Sequence, residues 1–174
     1  MNDDSSSTEF DEFVRARTPA LLRSAYLLTG DQHLAEDLVQ SALVRTHRSW
    51  KRIHRVSNAE AYTRKIMYHL QVAWWRRRRF HEQYGDDLPA HTQSTPDSSE
   101  DVARKLLLRH ALSRLTAKQR AVVVLRFYED RSVADTAELL GCSIGTVKSQ
   151  TAKAINALRQ QHLDVAQFTE RSFA

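Results

Sequence analysis

The stretch Arg131–Arg159, "RSVADTAELLGCSIGTVKSQTAKAINALR", decides how the rest of this chain is read. Ser132 is placed to cap a helix whose apolar positions are Val133, Thr136, Ala137 and Leu140. Ser and Thr suit that place because a side-chain oxygen there can accept from an otherwise unpaired first-turn N–H. Gly141 then supplies the left-handed residue that a tight inter-helix turn needs. Ser143 caps a second helix with Val147, Ala154, Ile155 and Leu158 on its apolar side. Ala137 is small where the two helices must cross. Two short helices joined by a turn of about three to four residues form a helix-turn-helix.

In such a motif the second helix presents the residues of its N-terminal half to base edges in the major groove. The outward positions here are Thr146, Lys148, Ser149, Gln150 and Lys153, with Ser143 at the start of the helix. Gln can pair with adenine, Lys with guanine or phosphate, and Ser and Thr with either. The alternative is a helical hairpin with a merely solvated polar face. Cap, glycine, spacing and a preceding helix together favour DNA binding. Cys142, the one cysteine, lies in the turn and reads as a small structural residue, since nothing nearby in sequence would activate a thiol.

Upstream, Thr116 is a cap candidate before Val122–Phe127, and Val102–Leu115 carries Leu106, Leu107, Ala111 and Leu115 at helical spacing. Before them "GDDLPAHTQSTPDSSED", Gly85–Asp101, holds two prolines, many Ser, Thr and Asp, and almost no large apolar residue, which is the composition of a flexible linker. The N-terminal part is helical again. Phe10, Phe13, Val14, Leu21, Ala25 and Leu28 lie near helical spacing up to Gly30, with Thr18–Pro19 placed to restart the helix. Asp31 can cap a second helix with Leu34, Leu38, Ala42 and Leu43. Asn58 can cap a third, through Tyr62, Ile66, Leu70 and Trp74 into the arginines. The expected fold class is all-α: two small helical domains, residues 8–85 and 102–162, joined by a flexible linker at 86–101.

A net charge of +5 and a pI near 9.6 point to an anionic partner. The single cysteine excludes an internal disulfide and a multi-thiolate zinc site. "MNDDSSSTE" has neither the basic start nor the apolar core of a signal peptide, and no apolar run approaches membrane-spanning length. A soluble, cytoplasmic protein is expected. The eight histidines show no metal-ligand spacing, and no constellation for cleavage chemistry is visible, so neither a cofactor nor an enzymatic activity is expected.

The third helix runs through "AWWRRRRF", Ala73–Phe80. Ile66, Met67, Leu70 and Trp74 share one arc, the core side. Lys65, Tyr68, Val72, Trp75 and Arg79 form a second stripe, with His69 and Arg76 beside it. Cations suit phosphates and aromatic rings suit unstacked bases. On this helix alone, a second reading stands equally: both indoles in the core and the arginines a solvated end favoured by the helix dipole.

Taken in order, these pieces resemble the extracytoplasmic-function (ECF) class of sigma-70-type transcription initiation factors, in an actinobacterial type of branch. "GDQHLAEDLVQSALVRTHRSW" resembles the helix that docks on the polymerase clamp, "NAEAYTRKIMYHLQVAWWRRRR" the promoter-melting and −10-reading helix, and Leu112–Arg159 the −35-reading region 4. The resemblance implies core RNA polymerase, through its clamp and flap, as a partner, with Asp37, Gln40, Ser41 and Val44 at the clamp. It implies promoter DNA, both duplex and single-stranded. Arg55, Ser57, Asn58 and His69 would hold a flipped −10 base, and Lys65, Tyr68, Val72, Trp75, Arg76 and Arg79 would line the melted strand. Ser143, Thr146, Lys148, Ser149, Gln150 and Lys153 would read the −35 duplex. An anti-sigma factor is a candidate partner. Three positions depart from the family: His69 stands where Asn is frequent, Gln150 where Arg is common, and Thr151 where an apolar residue is usual. The closest rival is a stand-alone helix-turn-helix regulator, which would not need the aromatic-basic stripe and for which no receiver domain is visible.

Overall fold

The computed structural model describes residues 2–53, 56–82 and 99–161. Among these residues there are helices and no strand, the all-α class that the periodicity predicts. The chain divides into two compact units, with the boundary between Trp74 and Trp75. Residues 86–98 of the expected linker and the end of the expected C-terminal domain at His162 lie outside the described residues.

The N-terminal unit is built from α1 (Asn2–Thr29), α2 (Gln32–Arg48), a single 3-10 turn (Trp50–Arg52) and the part of α3 (Val56–Glu82) that runs up to Trp74. The expected restart at Thr18–Pro19 does not occur, and α1 passes through Pro19 unbroken. Proline removes one backbone donor there, and beside it the Thr18 hydroxyl donates to the Val14 carbonyl at 2.6 Å. Gly30 ends the helix at φ 71, its N–H on the Tyr26 carbonyl at 2.7 Å. Asp31 caps α2 as predicted, its carboxylate accepting from the Leu34 N–H at 2.9 Å. Helix α3 starts at Val56, two residues before the cap expected at Asn58.

Helix α1 packs along α2. Phe13, Trp50 and Ala59 form one buried cluster, closed by Phe10, Val14, Leu43 and Ile53, and Leu21, Ala25, Leu28, Leu38 and Ala42 are almost fully buried. Fully burying one such leucine stabilises by about 1.5–3 kcal/mol. Polar groups join α3 to this pair. Thr46 and Thr63 share a buried hydroxyl–hydroxyl bond of 2.9 Å, and the Arg64 guanidinium donates to Ser24 Oγ at 3.3 Å. The Gln71 amide donates at 3.2 Å to the Leu28 carbonyl near the end of α1. Glu60 ties Arg17 at 3.2 Å to Arg64 at 3.1 Å.

The second unit contains α4 (Ser99–Ser113), α5 (Ala117–Val123), a π turn (Val124–Tyr128), α6 (Val133–Leu140) and α7 (Ile144–Arg159). Leu108, Ala111 and Leu112 are the buried side of α4 and Leu115 is buried just beyond it, whereas Leu106 and Leu107, expected inward, are 46% and 61% exposed. The run of three leucines fits two registers, and packing selects the one that carries Leu108. Thr116 caps α5 in a reciprocal box with Gln119. Arg120 is almost fully buried, and desolvation lowers its pKa to about 10. Its guanidinium reaches the Leu115 carbonyl at 3.5 Å.

Candidate nucleic-acid and polymerase interfaces

The helix-turn-helix forms as its capping residues dictate. Ser132 and Asp135 make a reciprocal box at the start of α6. The side-chain and backbone hydrogen bonds of Ser132 hold the Asp135 carboxyl below its ordinary value. Gly141 ends α6 in the left-handed region, φ 62 and ψ 41, a conformation that costs other residues about 1–2 kcal/mol. Ala137 meets Val122 and Val147 in one buried cluster, with Val133, Leu140 and Cys142 against it. That contact fixes α7 against α5 and α6.

Helix α7 starts on Ser143, whose hydroxyl accepts from the Thr146 N–H at 3.1 Å and shares a 2.9 Å bond with Thr146 Oγ1. The Ser149 hydroxyl donates to the Thr146 carbonyl at 3.1 Å. Lys148, Ser149 and Lys153 are exposed, Thr146 and Gln150 partly so, while Val147, Ala154 and Leu158 are buried. The outward set is the one the sequence predicts. Ile144, 50% exposed in the first turn, was not in it. It stands three residues before Val147, at the spacing of the apolar register itself, so the sequence carries no signal that would have placed it outside.

On α2, Asp37, Gln40 and Val44 are exposed and Ser41 is partly exposed. Their spacing puts all four on one helical face, opposite the buried Ala35, Leu38, Val39, Ala42 and Thr46. Val44 is 52% exposed, an apolar side chain inside a polar face.

On α3 the structure corrects the sequence reading. Tyr68, expected on the exposed stripe, is fully buried, and so is Met67 beside it. The buried arc of α3 is wider than its apolar residues suggest, because it includes Thr63, Arg64 and Gln71. Tyr68 falls inside that widened arc and offers no surface to a nucleic acid. Lys65, His69 and Arg76 are exposed and Val72 is partly exposed, as expected. Trp74, expected in the core, is partly exposed. Tyr62, expected among the core positions, is 37% exposed instead and lies in register with Lys65, His69, Val72 and Arg76. Among the described residues, the aromatic member of the exposed stripe is therefore Tyr62. Arg55 lies outside the described residues, as do the side chains of Ser57, Asn58, Trp75 and Arg79.

Among the described residues no group of three or more His, Cys, Asp or Glu could hold a metal ion, and no helix is long and apolar enough to cross a membrane.

The "Sigma-70 region 2" family model matches residues 13–81 and the "Sigma-70, region 4" model residues 105–158. The RNA polymerase sigma-E factor of Streptomyces avermitilis is 45% identical over 153 residues, covering 88% of this chain and 84% of that protein. The ECF RNA polymerase sigma factor SigL of Mycobacterium tuberculosis is 35% identical over 145 residues, covering 80% of each. Among solved structures, the sigma factor RpoE of Bartonella quintana in complex with the anti-sigma factor NepR matches with a TM-score of 0.65 at 27% identity. That match covers 88% of this chain and 96% of the other.

Proposed function

We propose a division of labour among these surfaces from one premise: the chain belongs to the sigma-70 family, in its extracytoplasmic-function class. It is an alternative transcription initiation factor that binds core RNA polymerase, recognises −35 and −10 promoter elements and promotes melting of DNA. Sigma-factor identity implies a non-enzymatic role. The finer assignments are our own reading. The domains run over 8–85 and 102–162, with the linker at 86–101 between them.

The face of Asp37, Gln40, Ser41 and Val44 docks on the polymerase clamp, with Val44 supplying apolar contact within a polar rim. The stripe of Lys65, His69, Val72 and Arg76 faces the melted −10 strand, continued by Trp75 and Arg79. Arg55, Ser57 and Asn58 hold one flipped base together with His69. Helix α7 reads the −35 duplex: Gln150 and Lys148 reach base edges or phosphates, while Ser143, Thr146, Ser149 and Lys153 set its register. Captured single-stranded bases stabilise the open form, so binding energy drives melting. Each unit alone binds DNA weakly, and attachment to one polymerase raises the effective concentration of each for its own element. The protein works in the cytoplasm. A regulator like the anti-sigma factor of the solved neighbour holds it in reserve.

The observation that carries this reading is a fully capped helix-turn-helix in the same chain as an exposed cationic stripe on α3. The test is transcription in vitro from a promoter library with purified core polymerase, with and without this chain. Promoter-specific transcripts that depend on the chain are expected. Their absence from every template, with sequence-specific duplex binding retained, would replace the reading with a stand-alone regulator.

A further inference from the structure

Helix α7 carries no Asp or Glu, and the hydroxyls near its start are bonded within the helix. Ser143 Oγ accepts from the Thr146 N–H and is bonded to Thr146 Oγ1. The Ser149 hydroxyl donates to the Thr146 carbonyl, and the Thr151 hydroxyl to the Val147 carbonyl at 2.7 Å. Ile144, Lys148 and Ala152 follow one another at intervals of one turn, are all exposed, and share a side of the helix. Ile144 heads that row, in the turn that a helix-turn-helix presents to base edges. Half of its surface is open to solvent, so a branched apolar side chain stands in the first turn with little packed against it.

Gly145 stands beside it. Glycine weakens a helix relative to alanine, and its usual justification is a left-handed backbone. Gly30 and Gly141 have that conformation, and Gly145 does not. A Cβ added at Gly145 would meet Ser143 Oγ at 3.8 Å, an ordinary contact. Among the described residues, then, neither backbone conformation nor packing requires a glycine at this place. Its missing side chain instead lowers the surface next to Ile144, where a partner can approach the helix closely.

The chemistry of the row selects what approaches. Lys148 suits guanine or phosphate, but isoleucine forms no hydrogen bond and gains only by covering apolar surface. On the base edges of the major groove, the apolar group is the C5-methyl of thymine. We propose that Ile144 determines specificity at one position of the −35 element by packing on the C5-methyl of a thymine, with Gly145 leaving room for that approach. This rests on the reading of α7 as the −35 helix.

The test uses holoenzyme and a promoter that this chain directs in vitro. Each thymine of the upstream element, on either strand, is replaced singly by deoxyuridine, which removes the methyl and keeps every hydrogen-bonding group. One replacement should weaken binding by the unaltered holoenzyme about fourfold, the burial of one methyl. With Ile144→Ala, thymine and uracil at that position should bind equally, whereas Ile144→Val should keep most of the discrimination. Gly145→Ala should weaken promoter binding about fivefold or more, the cost of forcing a methyl into a packed contact, without lowering the midpoint of unfolding. Ile144→Ala should unfold at the temperature of the unaltered protein and assemble normally with core polymerase. The proposal is overturned if no uracil replacement weakens binding, or if Ile144→Ala still discriminates thymine from uracil. Lost assembly in Ile144→Ala would also overturn it, by assigning the side chain to polymerase. Scrambling the whole upstream element tests the underlying reading separately: binding that survives the scramble in the unaltered holoenzyme would reject α7 as the −35 helix.

Discussion

Ser143 is both the cap of α7 and a residue assigned to the −35 duplex, and two substitutions separate those roles. Ser143→Ala deletes the bond to the Thr146 N–H at 3.1 Å and the 2.9 Å bond to Thr146 Oγ1. Loss of a serine cap costs about 1 kcal/mol. In a small unit, that shifts the midpoint of unfolding by about 4–8 °C. Ser143→Asp restores the cap and adds a carboxylate at the favourable end of the helix dipole, so stability should return to the original level or exceed it by about 0.3–1 kcal/mol. The same carboxylate would stand against phosphate. Two unit charges about 4 Å apart repel by about 1 kcal/mol even at the dielectric of bulk water, so affinity for a −35-dependent promoter should fall at least about fivefold. Thermal unfolding followed by circular dichroism gives the first quantity, and promoter competition with holoenzyme gives the second. The reasoning fails if Ser143→Asp binds promoter as tightly as serine does. It fails equally if stability and affinity change in proportion across the two variants, since Ser143 would then act only through the fold.

Other substitutions test the remaining surfaces. Asp37→Arg should weaken assembly with core polymerase in a pull-down titration while leaving the unfolding midpoint unchanged; unaltered assembly would remove the α2 face from the clamp. Tyr68→Ala should destabilise the N-terminal unit by about 3–5 kcal/mol, the usual cost of deleting a buried aromatic, as read from urea denaturation. A Tyr68→Ala protein of near-normal stability with defective melting would restore the exposed-stripe reading. Gly141→Ala should cost about 1–2 kcal/mol through its left-handed backbone, and an unchanged midpoint would mean that the turn relaxes to another conformation. The Asp135 box adds a pH dependence. Its carboxyl is lowered in the folded state, so its stabilisation is present above the ordinary carboxylate pKa and lost as pH falls through the lowered one. Asp135→Asn should flatten that acid limb.

The helix-turn-helix was legible because its signals are local. A cap, a left-handed glycine and the register of Val133, Ala137 and Val147 lie within a few residues of what they control, and each forms as expected. The cap at Asp31 is legible for the same reason. The continuous α1 was less so, because proline argues locally for a break while packing of Phe13 and Leu21 on either side favours one helix. The π turn at Val124–Tyr128 and the positive φ of 49 at Asp130 carry no marker in composition.

The exchange of Tyr68 for Tyr62 has a more general cause. Apolar periodicity locates a buried face only when that face is apolar, and α3 buries Thr63, Arg64 and Gln71 along with Met67 and Leu70. Thr63 is paired with Thr46, Arg64 with Ser24 and Glu60, and the Gln71 amide nitrogen with the Leu28 carbonyl. Desolvating them is tolerable because those partners exist, but of the partners only Glu60 lies on α3 itself. A polar residue on the core side therefore reads as exposed, and the whole arc appears narrower and rotated. With the partners restored, the arc shifts to take in Tyr68 and release Tyr62. The exposed ring then stands beside Ser49 and Arg52 instead of farther along the helix.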